Sequence, residues 1–356
     1  MLPDRPVRMT KAPSKHLREH SLIDRIRRGS ESTKSPWVSL GIGDDCAILH
    51  AAADSEILVT TDLTLENRHF RRDRHTPESV GHRALARGLS DLAAMGATPL
   101  AAFLSLALPS SMLSTGRGIE WVDRFFAGLH RLGDRYNVPL SGGDTSESPS
   151  DLILADIVLI GSAPRCAALR RSGAHAGDAL YVTGALGGAA AELAAVLARS
   201  EPPATVADLS ASHPHLFPEP RLAVGHVLLR RKLATAAIDI SDGLSTDLTH
   251  LCQASNVRAE IEQAAIPLHP LTKRLTPSGA LKAALHGGED YELLFSAPSG
   301  AHVPHTIGEV KLTRIGTLLP PDAKKPLITL VAADDSRKSL RPGGWEHFSD
   351  STKPAN

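Results

Sequence analysis

The stretch A-I-D-I-S-D-G-L (237–244) decides how the chain is read. Residues 234–240 form a short apolar run, the pattern of a buried strand, and 244–254 take up helical spacing. Between them stand Asp239, Ser241, Asp242 and Gly243, so a strand delivers two carboxylates into a turn that opens a helix. Four further short acidic clusters stand upstream. Gly43-Asp44-Asp45 precedes an expected strand at 46–50, and Thr60-Thr61-Asp62 closes one at 56–61. Gly142-Gly143-Asp144 reads as the turn after another. Ser90-Asp91 falls inside an expected helix over 78–95, which follows Pro77 and stops at Gly96.

Other strands are expected at 100–108, 151–162, 179–183, 258–261, 291–296, 312–318 and 327–331, and helices at 17–28, 117–136, 188–199 and 279–286. Residues 200–220 hold five prolines and read as a long connection. Strands and helices mix in both halves, which is an α/β (α+β) chain with mixed sheets flanked by helices. The polar, basic, glycine-punctuated segment 164–177 places the junction. The expected division is a flexible basic tail at 1–16, an N-terminal domain at 17–163 and a C-terminal domain at 164–356.

Length and composition agree. The 356 residues exceed the usual single-domain size. Lys plus Arg (39) equals Asp plus Glu (39), so no global field points to nucleic acid or a membrane as partner. Three cysteines without a Cys-x-x-Cys argue against a disulfide scaffold or a cysteine zinc site and fit a reducing, cytoplasmic setting. No apolar run approaches the roughly 20 residues of a membrane helix. Residues 1–16 carry Arg5, Arg8, Lys11 and Lys15 without an apolar segment, so no secretory signal is expected.

Short carboxylates on rigid elements, with hydroxyls alongside, suit hard cations such as Mg²⁺. Asp-Gly pairs are also ordinary turn chemistry. Asp91 is harder to explain that way: it stands among Leu89, Leu92, Ala93 and Ala94, where a carboxylate needs a partner. Arg87, four residues earlier, is the plain candidate, and a metal is the other. The chain has no G-x-x-x-x-G-K-[ST] and no H-R-D or D-F-G set, which excludes P-loop and protein-kinase folds. A polyphosphate here would have to be neutralised by metals and scattered arginines.

Seven stretches, in order, resemble the thiamine-monophosphate kinase family of the aminoimidazole-ribonucleotide-synthetase-like superfamily. They are G-I-G-D-D-C-A-I-L (41–49), T-T-D-L-T-L-E-N-R-H-F (60–70), L-S-D-L-A-A-M-G-A-T-P (89–99), G-G-D-T (142–145), R-S-G-A-H-A-G-D (171–178), A-I-D-I-S-D-G-L (237–244) and G-G-E-D-Y-E-L (287–293). The resemblance implies a two-domain fold, homodimerisation through the first domain, and transfer of the γ-phosphoryl of ATP to thiamine monophosphate with several Mg²⁺ ions. It assigns metal ligation to Asp45, Thr60, Asp62, Asp91, Asp144, Asp239 and Asp242, with Asp45, Asp91, Asp144, Asp242 and Arg171 as the catalytic set. Nucleotide contacts fall on Gly143, Asp144, Arg171 and Ser241, and substrate contacts on His69, Glu289 and Trp345.

Three positions depart from the family pattern. Arg18-Glu19-His20 replaces Gly-Glu-Phe, Ala167 replaces an arginine, and the nucleotide-contacting aromatic of the 121–136 helix is Phe125, Phe126 or His130. The rival readings are another ATP-dependent enzyme of the superfamily and a nucleotide-binding regulator without catalysis. No cysteine precedes Cys46, and the chain does not end in cysteine, which argues against the selenide-activating and hydrogenase-maturation members.

Overall fold

The computed structural model describes residues 17–31, 33, 35–199 and 212–345. The expected tail at 1–16 and much of the expected connection at 200–220 lie outside the described residues. The first lobe contains α1 (Glu19–Ser30), β1 (Val38–Leu40), β2 (Ile48–Leu49), β3 (Ser55–Leu65), α2 (Pro77–Ala94) and β4 (Thr98–Leu108). A single turn α3 (Ser110–Leu113), α4 (Gly116–Tyr136), β5 (Leu140–Glu147) and β6 (Leu154–Pro164) complete it. β1 and β2 pair by themselves, and the other four strands form a sheet in the order β3-β6-β4-β5. Only the β4–β5 pair in that sheet is parallel.

Alternation along β6 buries Ala155, Ile157 and Leu159 on one face, in a core shared with α2 and α4. Pro77 and the Thr76 hydroxyl, which accepts from the Ser79 amide, start α2. A Cβ on Gly81 would lie 1.9 Å from the Phe125 carbonyl oxygen, and one on Gly128 2.0 Å from that of Glu78. α2 and α4 therefore cross at backbone contact. On the other face, β3 leaves Ile57, Val59 and Leu63 exposed, at 53%, 59% and 43%.

The second lobe runs β7 (Ala179–Thr183), α5 (Gly188–Leu197), α6 (Leu222–Arg230), β8 (Ala236–Asp239), α7 (Leu244–Ser255), β9 (Arg258–Glu262) and α8 (Pro277–His286). It continues through β10 (Leu293–Ala297), β11 (Thr306–Ile307), β12 (Val310–Leu319), β13 (Ile328–Val331) and β14 (Arg337–Ser339). The sheet order is β14-β13-β9-β12-β7-β10-β8, with β11 on β12 and only β9–β13 parallel. Both faces are covered. Ile238 and Leu294 pack with Leu248 of α7 and Leu285 of α8. Ala237, Leu293 and Phe295 join the core that holds α2 and α6, so one apolar core runs from lobe to lobe. Among the described residues no helix is long and apolar enough to cross a membrane.

Two expected turns are strand interior. Asp62 lies inside β3, where Val59, Thr60 and Thr61 carry β-branched pairing through the acidic motif. Gly142, Gly143 and Asp144 lie inside β5. Gly143 has φ +145°, and a Cβ there would meet the Leu104 carbonyl oxygen at 1.9 Å; the glycine permits close strand approach and makes no turn. The elements α3, α6, β1, β11 and β14 were not expected.

Candidate active site

A cleft of about 440 Å³ between the lobes gathers residues from both. Asp239 ends β8 and accepts from the Ser90 hydroxyl of α2 at 2.8 Å. The next residue of α2, Asp91, accepts from the Thr60 hydroxyl of β3. Asp62, two residues along β3, pairs with Arg87 at 2.7 Å. The turn that follows β8 is held by Asp247, whose carboxylate accepts from the amides of Asp242 (3.1 Å) and Gly243 (3.0 Å). Arg87 is thus the partner of Asp62 and of the Leu63 carbonyl, not the hydrogen-bonding partner of Asp91.

This crowding has an electrostatic signature. Burial, opposed by Arg87 and reinforced by Asp91, pushes Asp62 up to about 6. Burial and the charge of Asp91 push Asp239 up to about 7. Burial raises Asp91 as well, against the Thr60 hydrogen bond and the charge of Arg171. Arg171 itself is exposed and lines neither large cavity; it acts on this group through its field.

The three expected substrate residues line the same cleft. His69 accepts the Leu65 amide at Nδ1, and its neighbour Phe70 stacks on Trp121 at 6.4 Å. Glu289 takes φ +67°, with its amide on the Ser241 carbonyl at 2.7 Å. Trp345, 48% exposed, is tied by its amide to the Asp242 carbonyl at 3.1 Å. α5 adds Ala190, Leu193 and Leu197 to the lining.

The expected ligand set is divided. Asp45, Gly143 and Asp144 line a separate cavity of about 970 Å³ on the first lobe. The row Asp62, Ile157, Leu104, Gly143 crosses the whole four-stranded sheet in register. Asp62 and Gly143 therefore stand about 14 Å apart, three strand spacings. Among the described residues no three His, Cys, Asp or Glu side chains form a ready metal cage. Of the three candidate aromatics, Phe126 lines this cavity, as does His20; Phe125 is fully buried and His130 borders a different hollow.

Sequence reasoning missed Arg83, His75 and His215. Arg83 is 2% exposed, donates to the His69 carbonyl at 2.7 Å and pairs with Glu289 at 2.5 Å. Its signal was present: Arg83, Arg87 and Asp91 recur every four residues, hence on one face of α2.

Comparison with known proteins now sets these lobes in a class. Residues 43–163 match the model of AIR synthase related protein, N-terminal domain, and 175–303 that of the C-terminal domain. Thiamine-monophosphate kinase of Escherichia coli (strain K12) is 41% identical over 285 residues, 79% of this chain and 82% of the relative. The crystal structure of thiamine-monophosphate kinase from Stenotrophomonas maltophilia K279a superposes with a TM-score of 0.75 at 34% identity, covering 88% of this chain and 96% of that one. AaThiL complexed with AMPPCP and TMP gives a TM-score of 0.69 at 32% identity, covering 96% and 100%. The chain belongs to the thiamine-monophosphate kinase family.

Proposed function

We propose that the protein phosphorylates thiamine monophosphate with ATP, giving thiamine diphosphate and ADP, by direct transfer of the γ-phosphoryl group. The observation that carries this reading is the interlobe cleft, where crowded aspartates and His69, Glu289 and Trp345 line one cavity in a family whose AaThiL member is complexed with AMPPCP and TMP.

The donor set fits magnesium. Asp239 is buried and Asp62 and Asp91 are half-buried, and the charge of Asp91 raises the other two, which a hard divalent cation would relieve. Thr60, Asp62, Asp91, Asp239 and Asp242 would hold metal in the cleft, and Asp45 and Asp144 on the nucleotide side. Bound magnesium supplies neutralisation of the phosphate charge as the two anions meet. The rest falls to the chain. Gly143 and Ser241 contact the nucleotide, and Arg171 adds positive potential over the transferring group. His69 and Glu289 contact the thiamine portion, and Trp345 covers its thiazolium, a cation favoured over an aromatic face. No strong base is required, because the attacking phosphate oxygen is already ionised near neutral pH.

Residues 17–163 are assigned to ATP and magnesium, and 164–356 to completing the cleft. The exposed Ile57, Val59 and Leu63 of β3 support pairing of the first lobe with its copy in a homodimer. The reading sets the reaction in the cytoplasm, without nucleic acid or membrane as partner. Purified protein with Mg-ATP should convert thiamine monophosphate and leave free thiamine unphosphorylated. Equal rates on both would replace this reading by a general thiamine kinase. Nucleotide binding without turnover would favour the regulator.

A further inference from the structure

Behind Glu289, side chains from both lobes join in a chain of close polar contacts whose proton direction has one favoured solution. Glu289 Oε1 accepts from Arg83 Nη2 at 2.5 Å, and Oε2 lies 3.0 Å from His215 Nδ1. His215 Nε2 lies 3.0 Å from His75 Nε2. His75 Nδ1 is 3.2 Å from both the amide nitrogen and the carbonyl oxygen of Arg71. His75 and His215 are 2% and 1% exposed. His75 and Arg83 belong to the first lobe, His215 and Glu289 to the second.

Burial opposes ionisation of Glu289, but the Arg83 guanidinium and the His215 contact outweigh it and hold the group as a carboxylate. A carboxylate only accepts, so the His215 nitrogen that faces it carries a proton. The Nδ1–Oε2 approach lacks hydrogen-bond alignment and is a close electrostatic contact, in which a nitrogen lone pair facing the carboxylate would be repelled and an N–H is favoured. Burial, with Arg83 nearby, lowers both histidines, so each is neutral and has a single N–H. With its proton on Nδ1, His215 offers a lone pair at Nε2, and His75 must donate through Nε2–H. The Nδ1 of His75 is then a lone pair, which takes the Arg71 amide and turns away from the Arg71 carbonyl. The competing arrangement makes His215 a cation and reverses His75, placing a second buried positive charge beside Arg83.

We propose that His75 and His215 are positioning residues of opposite tautomer, an Arg71 amide to His75 to His215 to Glu289 relay across the lobes. Together with Arg83 it fixes the Glu289 carboxylate for an N–H donor on the substrate's amino-heterocycle. The inference rests on the reading of Glu289 as a substrate contact.

Long-range ¹H–¹⁵N correlation on the full-length protein tests the relay directly, with His75 and His215 assigned by their substitution. The expected result is a neutral Nδ1–H form for His215 and a neutral Nε2–H form for His75. An imidazolium at His215, or one tautomer at both, overturns it. Kinetics test the positioning. His215→Asn keeps a donor near the Nδ1 position, whereas His215→Gln moves it toward Nε2. The Gln variant should raise KM for thiamine monophosphate roughly tenfold or more, with kcat and the ATP KM within about twofold. The Asn variant should recover most of that loss. Equal KM increases in the two variants overturn the proposal. If the tautomers are as stated but Glu289→Gln leaves that KM unchanged, the substrate role of Glu289 falls while the hydrogen-bond relay stands.

Discussion

The two acidic regions of the molecule are built to opposite plans. Asp44, Asp45 and Asp144 are exposed, on a loop and a sheet-edge strand around the larger cavity. Asp62, Asp91 and Asp239 are pressed together by β3, α2 and β8, and two of them are driven to about 6 and about 7. Exposed carboxylates cost the fold little and are free to reorganise around a ligand. Crowded, largely desolvated ones oppose folding and are arranged before the ligand arrives, the condition under which electrostatic groups act most strongly on a transition state. On the proposed function, the cleft would be the region of chemistry, and the outer cavity the region of nucleotide capture.

Exchanging one carboxylate in each region gives the hardest test. Asp91→Asn should lower kcat about a thousandfold or more at saturating Mg²⁺ and ATP. It should melt no lower than the parent, because the amide removes a charge that burial disfavours. Asp45→Asn should act mainly on the KM for ATP. A reversed pattern would place the chemistry in the outer cavity.

Next in size is a pH effect at the second lobe. Asp290 receives the amides of Gly187 (2.6 Å) and Ala189 (3.0 Å) at the start of α5, and burial pushes it to about 7. The folded state then holds the proton more tightly than the unfolded state, whose value is near 3.8. Stability from this group is full below about pH 4 and falls as pH rises to about 7, by on the order of 2–4 kcal/mol. Urea denaturation at pH 5 and pH 8 should show that slope in the parent and lose it in Asp290→Asn. A parent that gains stability from this group on going to pH 8 would refute it.

Trp345→Ala should raise the KM for thiamine monophosphate about five- to thirtyfold and leave that for ATP nearly unchanged. Trp345→Phe should restore part of it. A lowered melting temperature with unchanged KM would make the tryptophan a packing residue. The smallest effect concerns thiols. Cys46 and Cys166 are exposed, while burial pushes the Cys252 thiol up to about 12. A maleimide should label the first two, and the ATP analogue should slow only Cys46, which lines the outer cavity. Protection of Cys46 by thiamine monophosphate alone would merge the two regions.

Local order was legible wherever local chemistry decided it. The strand, acidic turn and helix at 237–244 could be read because each segment is set by its own periodicity and by Gly243, at φ +110°. The motif at 60–62 was misplaced at a strand end because an aspartate there resembles a turn, while cross-strand pairing with 157–159 carries β3 past it. α6 follows a proline-rich stretch and is short and apolar. Its burial against α2, where a Cβ on Gly225 would meet the Ala93 carbonyl at 2.0 Å, is a tertiary fact. The division of the seven proposed ligands was hidden for the same reason, since strand order sets it. The histidine pair was hidden because its members lie 140 residues apart.

The ion pair between Arg83 and Glu289 spans 206 residues of sequence. On a ribosome making about 5–20 residues per second, the arginine waits roughly 10–40 s for its carboxylate. Throughout that interval Arg83 is without the carboxylate it pairs with in the finished fold, and burying the guanidinium before then is unfavourable. Completion of this pair therefore waits on the arrival of residue 289, and a chain truncated before that point lacks it.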